Sequence, residues 1–171
     1  MRKDNTKVTS KGNPVTLVGN EVKPGDVAPD FTVLDKTLTP RSLKDYEGKI
    51  KVLAVYLSID TGICAAQNRK FNELATKLTD DLVVLSLSCD LPFAQSRFCA
   101  AEGLNNVITL SDYKDVDFGL KYGFLIEELR LLTRGTVVID KDNIVRYVEY
   151  VPETSTEPNY DAALAAVKSI L

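Results

Sequence analysis

Histidine is absent from this 171-residue chain, and its absence excludes several kinds of active site. Ser–His and Cys–His nucleophile pairs need an imidazole to act as the base. Metal centres that use histidine nitrogen as a ligand are excluded in the same way. An activated nucleophile in this chain must therefore depend on backbone dipoles, a hydroxyl group or a cation.

Cysteine is scarce, since the chain has only Cys64, Cys89 and Cys99. Three cysteines are too few for a disulfide scaffold. None of them forms a Cys-x-x-Cys pair, which disfavours a zinc site and a thioredoxin-type redox pair. No metal or other cofactor is therefore expected. Cys89 ends the apolar run 83–87 without any partner motif, so a buried structural thiol is the favoured interpretation there.

Signals for a membrane or a nucleic-acid partner are also missing. No window approaches the ~18 apolar residues that a membrane helix needs, and the polar N-terminus has no apolar signal-peptide core. The net charge of −3 disfavours a surface for polyanions. We expect a single domain over residues 1–171, located in the cytoplasm, where disulfides are more often transient than structural.

The segment 56–64, Tyr-Leu-Ser-Ile-Asp-Thr-Gly-Ile-Cys, lies where an apolar run gives way to a helical pattern. Residues 52–55 are continuously apolar, as in a strand covered on both faces. From Cys64 onward, apolar residues recur with the period of a helix. Cys64 is therefore expected to face the unpaired N–H groups of a first helical turn, which favour a thiolate. Thr61, three residues earlier, can direct its hydroxyl toward that sulfur.

Strand and helix patterns alternate along the chain. Strands are predicted at residues 15–18, 31–34, 51–57, 82–87, 107–110, 136–139 and 144–150. Helices are predicted at residues 43–46, from 64, from 92, at 116–122 and from 160. Asp90 and Asn159 are the expected caps of the helices from 92 and 160. Pro92 fits the first turn of its helix, and Gly103 and Gly123 are expected to end the helices that precede them. Residues 1–13 are polar and are expected to be loose at their extreme end, and Gly19-Asn20 is expected to turn a small hairpin. This alternation predicts an α/β fold with a mixed central sheet flanked by helices.

Four segments, taken in order, resemble the peroxiredoxins, and among them the bacterial thiol peroxidases of the atypical two-cysteine kind. Residues 25–31, Gly-Asp-Val-Ala-Pro-Asp-Phe, are similar to the family's N-terminal motif, and residues 58–64 to its peroxidatic loop. Residues 90–99, continued by 103–110, resemble the helix of its resolving cysteine. Residues 128–134 resemble the segment with its active-site arginine. The ten-residue block that ends at Cys99 is the most specific of these matches.

The resemblance implies a thioredoxin-like fold, a homodimer, and reduction of hydrogen peroxide and alkyl hydroperoxides with electrons from thioredoxin. Position by position, it makes Cys64 the peroxidatic cysteine, Cys99 the resolving cysteine, Thr61 the hydroxyl partner and Arg134 the cation. Cys64 would become a sulfenic acid, and Cys99 would then close an intramolecular disulfide. Plainer readings are a helix cap for Thr61, a buried thiol for Cys99 and a surface residue for Arg134, with Arg130 as the alternative cation.

The chain departs from the family pattern Pro-x-x-x-Thr-x-x-Cys at its first position, where Leu57 stands in place of proline. Leucine restores a backbone N–H and frees φ. This departure keeps open a redox-sensing interaction protein with a weakened peroxidase site. A thioredoxin-fold module with inert thiols is the third possibility. Sustained peroxide turnover distinguishes the enzyme from the other two.

Overall fold

Residues 2–171 are described by a computed structural model with a central sheet, a smaller sheet and helices on both faces. The strands are β1 Arg2–Ser10, β2 Asn13–Gly19, β3 Thr32–Leu34, β4 Pro40–Ser42, β5 Ile50–Val55, β6 Leu82–Ser88, β7 Val107–Ser111, β8 Leu125–Ile126, β9 Leu131–Leu132, β10 Gly135–Ile139 and β11 Val145–Tyr150. The helices are α1 Gly62–Lys77, α2 Pro92–Glu102, α3 Asp117–Tyr122 and α4 Tyr160–Ser169, and a 3₁₀ turn covers Leu43–Tyr46.

The central sheet has seven strands in the order β11-β10-β5-β6-β7-β3-β4. Strands β5, β6 and β7 are parallel, because α1 and α2 carry the chain back between them. Strand β10 runs antiparallel to both β5 and β11. The predicted mixed sheet with flanking helices is confirmed. The short strands β4, β8 and β9 were not predicted, since two or three residues leave no periodic signal.

Both faces of β5 are buried, as its continuous apolar run predicts. Leu53 packs into a cluster that includes Phe118 of α3. Val52 packs on the opposite face with Phe71 of α1 and Val167 of α4. The end of β5, from which the Cys64 loop departs, is therefore fixed between two layers of core.

The N-terminal hairpin is present, but the expectation of a loose extreme end within residues 1–13 is wrong from residue 2 onward. Residues 2–10 form β1, which pairs antiparallel with β2 in the smaller sheet β1-β2-β8-β9. The turn is Lys11-Gly12, with φ values of 51° and 80°, rather than Gly19-Asn20. Two positive φ angles suit the right-handed twist of a two-residue hairpin. A Cβ at Gly19 would collide with the Leu120 carbonyl, so Gly19 permits close packing on α3.

Asp90 does not cap α2, contrary to the prediction. Leu91 occupies the N-cap position, and Pro92 is at the first helical turn as expected. The Asp90 carboxylate instead accepts hydrogen bonds from Ser58 and Ile59 in the loop after β5. Competing donors from another part of the chain have redirected this side chain.

The other helix ends agree with the sequence signals. Gly103 and Gly123 close α2 and α3 in the left-handed conformation. Asn159 caps α4 by accepting a hydrogen bond from the Ala162 N–H at 3.0 Å. Among the described residues, every helix is too short or too polar to cross a bilayer.

Candidate active site

Cys64 is the third residue of α1, and Thr61 occupies the N-cap position of that helix. The Cys64 side chain is fully buried, at 0% exposure, and clusters with Tyr56 and Ile59 of the preceding loop. The loop is short because the strand ends at Val55 and the helix begins at Gly62. Cys64 therefore lies in the first turn of the helix, whose N–H groups have no partner within the helix and carry partial positive charge.

Arg134 contacts Cys64 although 70 residues separate them: Nη2 lies 3.1 Å from Sγ. The sheet explains this proximity. Strand β10 begins at Gly135, and Gly135 pairs with Val55 at the end of β5. The residue before β10 therefore lies beside the loop that follows β5. The contact places a positive charge and an N–H donor directly at the sulfur.

The Arg134 guanidinium is held on two further sides, and only 2% of the residue is exposed. Its Nε donates to the Thr154 carbonyl at 3.1 Å, and its Nη1 donates to Gln67 Oε1 at 2.6 Å. Gln67 is itself fixed, because its Nε2 donates to the Val55 carbonyl at 3.1 Å. A planar guanidinium with three partners has little freedom to turn away from Cys64.

Two buried polar residues on α1 were missed by the sequence reasoning. Gln67 and Asn68 follow Cys64 by three and four positions, so they share its face of the helix. Asn68 Nδ2 donates to the Cys64 carbonyl at 2.9 Å, and its Oδ1 accepts from the Ser86 hydroxyl on β6. The available signal was the presence of two amides on an otherwise apolar helix face close to the thiol.

Thr61 lies at the start of α1, but its hydroxyl is directed at the loop. Thr61 Oγ1 donates to the Ser58 carbonyl at 3.1 Å, and the Thr61 N–H donates to the same oxygen at 3.2 Å. Among the hydrogen bonds of residues 2–171, none joins Thr61 to Cys64. The side chain is exposed, and the hydroxyl oxygen keeps lone pairs that can accept a bond from a ligand.

Cys99 lies on α2 and is half-buried, and all three cysteines are free thiols. Burial raises the pKa of the Cys99 thiol, against the opposing charge of Lys36. Cys99 lines a cavity of about 570 Å³ together with Lys36, Arg41 and Tyr46. It packs on the cluster beneath α1 and α4, whereas Cys64 belongs to a different cluster. The structure therefore leaves Cys64 and Cys99 unbonded.

The remaining candidates lie apart from this arrangement. Burial, together with the charges of Asp112 and Asp90, raises the pKa of the Cys89 thiol to about 12. Arg130 is exposed in the turn between β8 and β9, with a φ of 53°. Of these two arginines, Arg134 is the one that the structure brings to Cys64.

Comparison with known proteins places this arrangement in a family. Residues 23–164 match the Redoxin family. A thiol peroxidase of Oceanobacillus iheyensis is 53% identical over 160 residues, covering 94% of this chain and 97% of its own. A thiol peroxidase of Staphylococcus aureus is 54% identical over 165 residues, covering 96% and 99% of the two chains. The crystal structure of a peroxiredoxin-like protein from Aquifex aeolicus superposes with a TM-score of 0.90, at 38% identity and full coverage of both chains. The chain belongs to the Redoxin family and, within it, to the bacterial thiol peroxidases.

Proposed function

We propose that this chain is a single-domain thiol peroxidase that reduces hydrogen peroxide and alkyl hydroperoxides. The observation that carries the proposal is the 3.1 Å contact between the Arg134 guanidinium and Cys64 Sγ at the start of α1. A buried sulfur between a cation and a helix N-terminus is suited to react as a thiolate. The thiol peroxidase relatives support the same class of activity.

In the first step, the Cys64 thiolate attacks the terminal oxygen of the hydroperoxide, and the O–O bond breaks. The sulfur becomes a sulfenic acid, and the other oxygen leaves as water or an alcohol after it takes a proton. Arg134 is proposed to hold the two peroxide oxygens in line with the sulfur and to stabilise the charge on the leaving oxygen. Thr61 is proposed to accept a hydrogen bond from the peroxide O–H.

In the second step, the Cys99 thiol attacks the Cys64 sulfenic sulfur, the S–O bond breaks, and water leaves. The product is an intramolecular Cys64–Cys99 disulfide. Both residues are free thiols in this structure, and we propose that the start of α1 or α2 moves before this bond forms. The disulfide is then reduced by an external dithiol, for which we propose thioredoxin. We further propose a homodimer that works in the cytoplasm.

A coupled assay tests the function directly. NADPH consumption is measured with thioredoxin, thioredoxin reductase and either hydrogen peroxide or an alkyl hydroperoxide. We expect sustained turnover of both peroxides by the unmodified protein. Cys64→Ser should abolish turnover, whereas Cys89→Ser should retain most of it.

Three results contradict the proposal in different ways. Equal losses in the two cysteine variants would refute the assignment of Cys64. A single round of thiol oxidation without turnover would favour a redox-sensing protein over an enzyme. An unreactive Cys64 would leave only a structural module.

A further inference from the structure

The Asp90 carboxylate lies between the loop before Cys64 and the start of the helix that carries Cys99. It accepts three hydrogen bonds from side-chain and backbone donors. Ser58 Oγ donates to Oδ1 at 2.9 Å, and the Ile59 N–H donates to Oδ2 at 2.8 Å. Ser88 Oγ donates to Oδ2 at 2.6 Å. Two of the three donors thus belong to the Cys64 loop, and hydrogen bonds to an ionised carboxylate are stronger than neutral ones.

Fixing Ser58 and Ile59 fixes the start of α1. The Ser58 carbonyl accepts both the N–H and the hydroxyl of Thr61, the residue at the helix N-cap. Ile59 is buried in the same cluster as Cys64. Any displacement of these two loop residues therefore shifts the first turn of α1, and with it the sulfur relative to Arg134.

On its other side, Asp90 is held by the strands that lead into and out of α2. Ser88 Oγ, which donates to Asp90, also accepts from Gln95 Nε2 at 3.0 Å. Gln95 Nε2 in turn donates to the Leu110 carbonyl at 3.0 Å, and Ser111 Oγ donates to the Asp90 carbonyl. Asp90 is thus anchored to the strands on either side of α2, the helix of Cys99, and its carboxylate holds the loop that precedes Cys64.

The family's proline is absent from this loop, so its backbone is restrained by other contacts, which include the packing of Leu57 and the hydrogen bonds to Asp90. A proline at that position would restrict φ, whereas leucine does not. Hydrogen bonds to Asp90 supply a restraint within two residues of Leu57. A restrained loop keeps a reactive group in one arrangement before the reaction.

We propose that Asp90 is a positioning residue: it holds the loop 58–61 so that Cys64 stays beside Arg134 for the peroxide step, and its bonds to Ser58 and Ile59 break when the loop opens toward Cys99. The inference rests on the proposed function. It predicts opposite effects on the two chemical steps. Removing the carboxylate weakens the arrangement that attacks peroxide and favours the opened arrangement that forms the disulfide.

The test measures the two rates separately. The chain has no tryptophan, so the thiol, the sulfenic acid and the disulfide are counted by rapid quenching, alkylation and mass spectrometry. Asp90→Ala should lower the second-order rate with hydrogen peroxide about tenfold, equal to about 1.4 kcal/mol of barrier. The first-order rate of the Cys64–Cys99 disulfide should rise about threefold or more. Asp90→Asn keeps one oxygen acceptor and should lie between Asp90→Ala and the unmodified protein in both rates.

Asp140→Asn is the matched control. The Asp140 carboxylate also accepts three hydrogen bonds, from the Asp142 and Ile144 N–H groups and from Arg146, but it lies in the turn between β10 and β11. The Asp140→Asn variant should change the thermal midpoint of unfolding without changing the rate of the peroxide step or of disulfide formation. Should Asp90→Ala fail to fold, Ser58→Ala removes one of the three donors to Asp90, together with the acceptor of the Asp60 N–H, and should shift both rates in the same two directions.

The outcomes separate this inference from the proposed function. If the unmodified protein reduces no peroxide, the proposed function fails. If it does, and the Asp90 variants keep both rates, lower both or speed the peroxide step, the role of Asp90 is wrong while the function stands. A slower peroxide step together with faster disulfide formation, absent from Asp140→Asn, supports the inference.

Discussion

Arg134→Lys tests the central contact of the candidate site, because it keeps the charge and removes the planar fork. Arg134 donates from three different nitrogens to Thr154, Gln67 and Cys64. A lysine has one nitrogen on a flexible stem, and that nitrogen cannot reach all three acceptors. The substitution therefore separates the effect of a nearby positive charge from the effect of a fixed donor geometry.

The expected loss follows from the bonds that disappear. A hydrogen bond to a charged group contributes about 1.5–3 kcal/mol, and loss of one at the reacting sulfur corresponds to a fall of about 10- to 100-fold in rate. The orphaned Gln67 Oε1 and Thr154 carbonyl each cost about 1–3 kcal/mol of stability if water cannot reach them. We therefore expect a slower reaction with hydrogen peroxide and a lower free energy of unfolding.

The assay is the second-order rate of Cys64 oxidation by hydrogen peroxide, measured at a temperature where circular dichroism shows both proteins folded. Arg130→Lys is the matched control, since Arg130 is an exposed arginine only four positions away. It should leave the rate unchanged. An Arg134→Lys rate within twofold of the unmodified protein, or an equal loss in Arg130→Lys, would refute the assignment of Arg134.

Three further predictions concern the disulfide, the buried carboxylate and the departure from the family pattern. Peptide mapping of the monomer after one equivalent of peroxide should show a Cys64–Cys99 link; a Cys64–Cys89 link would contradict it. Burial raises the pKa of Asp112 from 3.8 to about 7, so the folded state binds this proton more tightly than the unfolded state does. The free energy of unfolding should therefore fall as pH rises from about 4 to 7, by at most about 4 kcal/mol. Asp112→Asn should remove this dependence in urea titrations, and an unchanged slope would contradict the shift. Leu57→Pro removes packing on two clusters, so it should lower the free energy of unfolding by about 1–2 kcal/mol without raising the rate of reaction with peroxide. A tenfold faster reaction would show that the backbone restraint from proline matters more to the rate than the packing of leucine.

Local signals predicted most of the fold. Apolar runs located β5 and β6, Gly103 and Gly123 marked two helix ends, and Asn159 marked a helix start. Polar composition was misleading for β1, because pairing with β2 stabilises a strand whose own sequence has little apolar character. The sequence pattern also predicted Asp90 as a helix cap. A local pattern shows the carboxylate acceptor, but it does not show the donors of Ser58 and Ile59, which only the folded chain brings to it.

The site was predictable only in its parts. The thiol at a helix start follows from the change of period at Cys64, which is local. The contact with Arg134 depends on the register of β10 against β5, a pairing of Gly135 with Val55 that no local pattern contains. Gln67 and Asn68 matter through partners on other elements, Arg134 and Ser86. Their roles emerge once the sheet has brought those elements together.

Leu57 connects the candidate site to the part of the chain that looked least structured in sequence. Its side chain is half-buried and packs both on the hairpin cluster, which includes Val8 and Leu17, and on the cluster of Tyr56 and Cys64. A proline would restrain this point through its own ring. Leucine restrains the same point through burial of its side chain against β1 and β2. Asp90 adds hydrogen bonds to the next two residues, Ser58 and Ile59. The position of the Cys64 loop therefore depends on the N-terminal hairpin, and destabilising that hairpin should loosen the loop.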